Sequence, residues 1–201
     1  QRGVRLLRPQ IGLLHNPHAP APIPNPENGR KTMVRQDPRQ RGLLGAAWHL
    51  GYVARCAEAG VAAVTMAAPV GEFGVIHQPM PYPQPLFDDI GGVYPVYHVL
   101  RGLAREAAQR LRSAKSSSPG SVLALGCERG GETVIWIANL GEAPQSVAFD
   151  GLAGVARFAV LDVGDIRSAA HDPTLLDRPA RTIAPGETLK LGAYAVGRLV
   201  A

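Results

Sequence analysis

Lys115-Ser116-Ser117-Ser118-Pro119-Gly120 divides the chain into two textures. Before it the pattern alternates strand, helix, strand, helix, with long loops between; after it only short strands follow, separated by turn residues. Serine, proline and glycine at that density neither continue a helix nor pack a core, so the segment reads as a linker. Two architectures are expected, one on each side of it.

Downstream, Ser121–Leu125 and Thr133–Asn139 flank Glu128-Arg129-Gly130-Gly131-Glu132, which reads as a hairpin with a glycine turn. Further strands are expected at Ser146–Phe149, Arg157–Leu161, Thr188–Leu191 and Tyr194–Val200. Asn139-Leu140-Gly141, Asp150-Gly151 and Pro185-Gly186 punctuate them at the spacing of an antiparallel sandwich. Trp136 alternates with Ile135 and Ile137 and is assigned to the core.

Upstream, Val4–Leu14 holds two short apolar runs broken by Pro9, read as a bent strand or two strands. The chain opens without methionine directly in Gly3-Val4-Arg5-Leu6-Leu7-Arg8, strand-like residues with no turn before them, so an upstream part of the parent protein is expected. His15 to Arg35 is a proline-rich loop. Asp37-Pro38-Arg39-Gln40 then places an acceptor at a helix N-cap, proline at the first helical position and glutamine where it can return a capping-box bond. Leu43, Ala47, Leu50, Ala54 and Ala57 recur at helical spacing, with Leu44 and Trp48 widening the stripe and Gly60 as the left-handed stop. Val61–Ala68 follows, apolar on both faces like a central parallel strand. Pro69 to Gly92 is a second long loop, and a second helix is expected from Tyr94-Pro95 to about Ala114. Long loops after successive strands, each followed by a helix, are what barrel enzymes carry at their catalytic rim.

Composition narrows the function classes. A hydrophobic fraction of 46% suits a globular protein rather than a disordered one. No stretch has the roughly 18 consecutive apolar residues of a membrane span, and the first residues lack the apolar core of a signal peptide, so the cytoplasm is the expected compartment and no membrane partner is expected. Cys56 and Cys127 form no C-x-x-C pair and read as buried thiols. The formal charge of +5 comes with arginine far outnumbering lysine in an alanine- and glycine-rich chain, the bias of a GC-rich genome. Arginines without interleaved aromatics make no base-stacking platform, so no nucleic-acid partner is expected.

The segment Asp37–Trp48, followed by Ala59–Thr65 and by Tyr94-Pro95-Val96-Tyr97-His98-Val99-Leu100, resembles the apionate lactonase family. The resemblance covers residues from about 4 to 201 and implies a glycosidase-like build: a (β/α)8 barrel followed by a β-sandwich, in an enzyme that opens a branched-sugar lactone. The fold class it implies is α/β plus all-β, the C-terminal part of a (β/α)8 barrel (last two βα units) and then an antiparallel β-sandwich. Residues 1–115 would be the end of the barrel and 119–201 the C-terminal sandwich. On that plan the family carries a glutamate near the end of the eighth strand, where this chain has Met66-Ala67-Ala68. Ala68 has no carboxylate, so either Glu72 takes the role or the chemistry differs. Leu14-His15-Asn16-Pro17 at the end of the seventh strand also lacks the nucleophile of a retaining glycosidase, which needs two carboxylates about 5 Å apart.

Lactone hydrolysis needs a base for water, donors for the oxyanion and groups for sugar hydroxyls. Glu72, in Gly71-Glu72-Phe73-Gly74, and His15 are the catalytic candidates; Asn16, Arg39 and His77 are the substrate-binding ones. Asp37 is explained by capping, Asp88 and Asp89 by turns, and His49 and His98 by helix packing. His15 and His18 form an H-x-x-H pair without further ligands in reach, so no metal and no cofactor is expected. The reading is the C-terminal portion of a glycosidase-like hydrolase of a sugar lactone, apionolactone-like. Alone it is expected to be inactive, and to pair with a missing N-terminal barrel portion or a second copy of itself. The alternative is a non-catalytic carbohydrate-binding or interaction module, with a sandwich that takes a glycan.

Overall fold

The computed structural model describes residues 5–7, 24–29, 37–106 and 110–201. Strand β1, Arg5–Leu7, pairs in parallel with β2, Ala63–Thr65, with Arg5 opposite Ala63 and Leu7 opposite Thr65. Helix α1, Leu43–Glu58, lies between them in sequence, as a crossover unit requires. Four-residue α2, Phe87–Ile90, and then α3, Pro95–Glu106, follow β2.

The entry to α1 differs from the expected capping box. Asp37 does cap, accepting from the Arg39 backbone N–H at 3.0 Å, but it caps a separate 3-10 turn, Pro38–Arg41, and α1 starts only after Gly42. The Asp37 carboxylate also takes the Arg39 guanidinium, and the Gln40 amide finds no partner among the described residues. A Cβ at position 45 would collide with the Gln40 carbonyl, so glycine there lets the turn fold back on the first turn of α1. From Leu43 onward the stripe holds: Leu43, Ala47, Leu50 and Ala54 are buried, and Gly60 has φ +73°.

The second helix is shorter than expected. It ends at Glu106, and Arg110–Arg112 forms β3 instead, antiparallel to β4, Val122–Arg129, with Arg112 opposite Gly126. A ladder on the β4 edge satisfies backbone groups that a last helical turn would leave bare. Gly126 permits the approach, since a Cβ there would lie 2.8 Å from the Arg112 carbonyl oxygen. Leu111, placed on the apolar helix face by sequence, is 56% exposed.

β5, Glu132–Asn139, completes the glycine hairpin, with Gly130 and Gly131 at φ +58° and +87° as the tight turn demands. β6, Gln145–Ala148, and β7, Ala156–Leu161, fall where expected; then come α4, Ile166–His171, β8, Arg181–Ile183, β9, Thr188–Leu191, and β10, Val196–Val200. The large sheet runs β3-β4-β5-β10-β7-β8, antiparallel throughout, while β6 and β9 pair separately. One core lies between the sheet and the helices, joining Leu43, Ala47, Leu50 and Val99 to Trp136, Ala138 and Val196. The other lies between the sheet and the β6–β9 pair, around Ile137, Phe158, Leu189 and Leu199.

Trp136 is fully buried, and a Cβ at Gly102 would strike its ring, so α3 rests directly on the indole. β2 shows the opposite: the sequence suggests a strand buried on both faces, yet Ala63 and Thr65 are exposed and Val64 is half-buried. Its one hydrogen-bonded neighbour among the described residues is β1, and neither hydrophobic core of the sandwich includes it.

Candidate functional site

The loop from Met66 to Gly92 starts at the C-terminal end of β2, the end where parallel α/β units hold their ligands. It is pinned rather than free. Ala68 N–H donates to the Phe73 carbonyl (3.1 Å) and Gly74 N–H to that of Gly71 (3.0 Å), closing a tight turn that presents Glu72. His77 N–H bonds the Gly92 carbonyl at 2.8 Å, and Tyr94 N–H bonds that of Val75 at 2.9 Å, tying the loop to the start of α3.

A polar network fixes its far side. The buried Tyr94 hydroxyl donates to Gln84 Oε1 at 2.7 Å, and the Gln84 backbone N–H donates to Asp88 Oδ2 at 2.6 Å. His77 Nε2 lies 3.1 Å from Asp88 Oδ1. These bonds hold the Asp88 carboxyl below its usual range, the Gln84 backbone bond first and His77 next. Burial pushes the Tyr94 hydroxyl up to about 12.

Between this network and the α1 entry stands a group of polar side chains with few partners. The Arg41 guanidinium is 5.8 Å from the centroid of the Tyr82 ring, and Arg41 is buried. The Tyr82 hydroxyl is buried without a hydrogen-bond partner among the described residues, as are both polar atoms of the Gln40 amide. Burial raises the Tyr82 hydroxyl above its ordinary value; Arg41 works against that shift and Glu72 adds to it, so both charges act on one phenol. An orphaned donor in the field of a carboxylate and a guanidinium is an arrangement that can polarise a carbonyl.

Residues 2–108 match the D-apionate lactonase TIM barrel domain family, and residues 119–199 match the D-apionate lactonase C-terminal immunoglobulin-like domain family. The chain belongs to the D-apionate lactonase family. A curated D-apionate lactonase from Brucella anthropi is 28% identical over 149 residues, which is 74% of this chain and 22% of that protein. The chain therefore spans about a fifth of that relative's length. Among solved structures, a glycoside hydrolase family 30 subfamily 8 xylanase from Clostridium acetobutylicum superposes with a TM-score of 0.55 at 16% identity, covering 80% of this chain and 39% of that one. A conserved exported protein from Bacteroides fragilis gives a TM-score of 0.53 at 14% identity, covering 84% and 35%. Such identities carry the fold alone: a TIM-barrel region followed by an immunoglobulin-like sandwich.

Set on this lactonase-family frame, the sequence-derived site residues are dispersed. Glu72 is on the loop turn, partly buried, and its charge acts on the Tyr82 phenol. His77 is on the same loop but engaged by Asp88. Arg39 sits at the α1 entry, 41% exposed and paired with Asp37 at 2.5 Å. His15 and Asn16 lie outside the described residues. His49 and His98 are buried in the helices, with ring nitrogens 2.7 Å from the Gly45 carbonyl and 3.0 Å from that of Ala169. Among the described residues no three His, Cys, Asp or Glu side chains gather as a metal site, and no helix is long and apolar enough to cross a membrane. Sequence reasoning missed Arg41, Tyr82 and Gln84. Tyr82, in Pro81-Tyr82-Pro83-Gln84-Pro85, carries the one available signal, an aromatic held between prolines that stiffen its backbone.

Proposed function

We propose that this chain is the C-terminal portion of a hydrolase of a sugar lactone, apionolactone-like, with Glu72 as the base that activates water. Water's oxygen attacks the lactone carbonyl while Glu72 takes its proton, and the carbonyl oxygen becomes an oxyanion. The Tyr82 hydroxyl and the Arg41 guanidinium donate to that oxyanion. On collapse the ring C–O bond breaks, the ring oxygen takes a proton to become a hydroxyl, and the product is the open-chain acid. His15 is the second candidate base. Asn16, the free donors of Arg39 and the His77 ring are assigned to substrate hydroxyls. The observation that carries the reading is the buried Tyr82 hydroxyl, which has no partner among the described residues and is influenced by both Glu72 and Arg41.

The functional units are proposed as residues 1–115 and 119–201, with β3 lent by the first to the sheet of the second, in a cytoplasmic protein. The rest of the barrel, or a second copy, covers β2 and the apolar groove of about 360 Å³ bounded by Leu44, Trp48, Tyr52, Leu140 and Tyr194. The test is hydrolysis of a sugar γ-lactone followed by acid release in the natural full-length polypeptide, together with its native mass. Glu72→Gln is expected to lower kcat by roughly 10²–10⁴-fold and Tyr82→Phe by a smaller factor, with KM little changed. The 21.3 kDa chain alone is expected to be inactive and to self-associate. Full activity in Glu72→Gln removes the base assignment, and an active monomer of this chain removes the portion reading.

A further inference from the structure

Away from the loop after β2, the sheet and the C-terminal end of α3 enclose a cleft of about 170 Å³ into which Arg105, Arg129, Arg157 and Arg198 project with only Glu132 and Asp177 for charge balance. The cations outnumber the acids because the acids are shared. Asp177 Oδ2 serves both Arg101, at 2.6 Å, and Arg105. Glu106 Oε1 serves Arg198 at 2.8 Å and is the nearest acid to Arg129, at 3.9 Å, beyond hydrogen-bond range. Glu132 pairs with Arg157. Four guanidinium groups thus line the cleft against two carboxylates, and counting the ion-pair partners Arg101 and Glu106 the balance is five against three, a surplus of two positive charges either way. Each guanidinium has five N–H donors, more than these carboxylates engage.

We propose that this cleft is a binding site for a small oxyanion, the carboxylate of a sugar acid or a phosphate group. Planar guanidinium forks match both geometries, and a concave site lined by one sign of charge concentrates anions. The volume lies below the roughly 300–1,000 Å³ of a drug-sized pocket, which restricts the ligand to a small one. Arg105 lies in the last turn of α3, at the end opposite the N-terminus that receives the loop after β2, so the anion binds apart from the candidate catalytic residues.

The experiment is calorimetric titration of the 201-residue chain with gluconate, inorganic phosphate and glucose, at ionic strength held constant with sodium chloride. Gluconate or phosphate is expected to bind and glucose not; which of the two binds tighter assigns the source. Arg129→Gln with Arg157→Gln is expected to weaken binding by about tenfold or more. Glu132→Gln, which removes a competing negative charge, is expected to tighten it several-fold, a reading that mere loss of folding cannot imitate. Absence of anion binding at matched ionic strength, or equal affinity in all variants, overturns the site.

Discussion

β5 and β2 are both short apolar strands, and they meet opposite fates. In β5, Val134, Trp136, Ile137 and Ala138 are buried, because α1 and α3 cover one face of its sheet and the β6–β9 pair covers the other. In β2, Ala63 and Thr65 stay open. Strand propensity is similar in the two; the covering layers make the difference. The helices spend their apolar stripes on the sandwich sheet, so stability in this chain concentrates there. β2 leads into the loop that carries Glu72 while contributing little to the core.

That contrast can be broken most forcefully at the α3 contact. Trp136→Ala is expected to cost about 3–5 kcal/mol of unfolding free energy in denaturant titration. Gly102→Ala, which drives a methyl into the same ring, is expected to cost about 1–3 kcal/mol. A loss below about 1 kcal/mol for Trp136→Ala would mean that the two regions do not share a core. A matched pair sharpens it further. Val134→Ala, at a fully buried site, is expected to cost about 2 kcal/mol, and Val64→Ala in β2 less than about 1 kcal/mol, by the same titration. Equal losses would show β2 to be covered.

The smallest effect is on the acid side. Burial lowers the His49 and His98 imidazoles below their ordinary value, so below about pH 6.5 the unfolded chain binds protons that the folded chain refuses. Stability therefore falls as pH drops from 6.5 toward the lowered folded values and is level above that window. The denaturation midpoint should be lower at pH 5.5 than at pH 7.5, with a reduced difference in His49→Gln.

Much of this arrangement is legible in the sequence. Glycine and proline punctuation located the main sandwich strands, and the Leu43–Ala54 stripe located α1 with its stop at Gly60. The misses have physical causes. Leu111 continues a helical period, but a free β4 edge opposite Gly126 gave those residues a better use for their backbone groups. Gln40 has the right spacing for a capping box, and the Arg39 guanidinium took the Asp37 carboxylate first. β8 is three residues long and among the described residues pairs only with β7, so its existence depends on a neighbour that local pattern does not reveal. At the candidate site, Glu72 stands out in the sequence because no periodic pattern claims it. Tyr82 and Arg41 do not, since an orphaned hydroxyl and its neighbouring cation exist only once α1 and the loop are brought together.

The lacing of β3 to β4 has a consequence for motion. Only residues 107–109 separate the last turn of α3 from a strand hydrogen-bonded into the large sheet, while the indole of Trp136 seats against Gly102 on the helix itself. Swinging the helices against the sheet would unzip a strand and uncover a tryptophan. Capture of a ligand by rigid-body closure of the helices on the sheet would break both contacts.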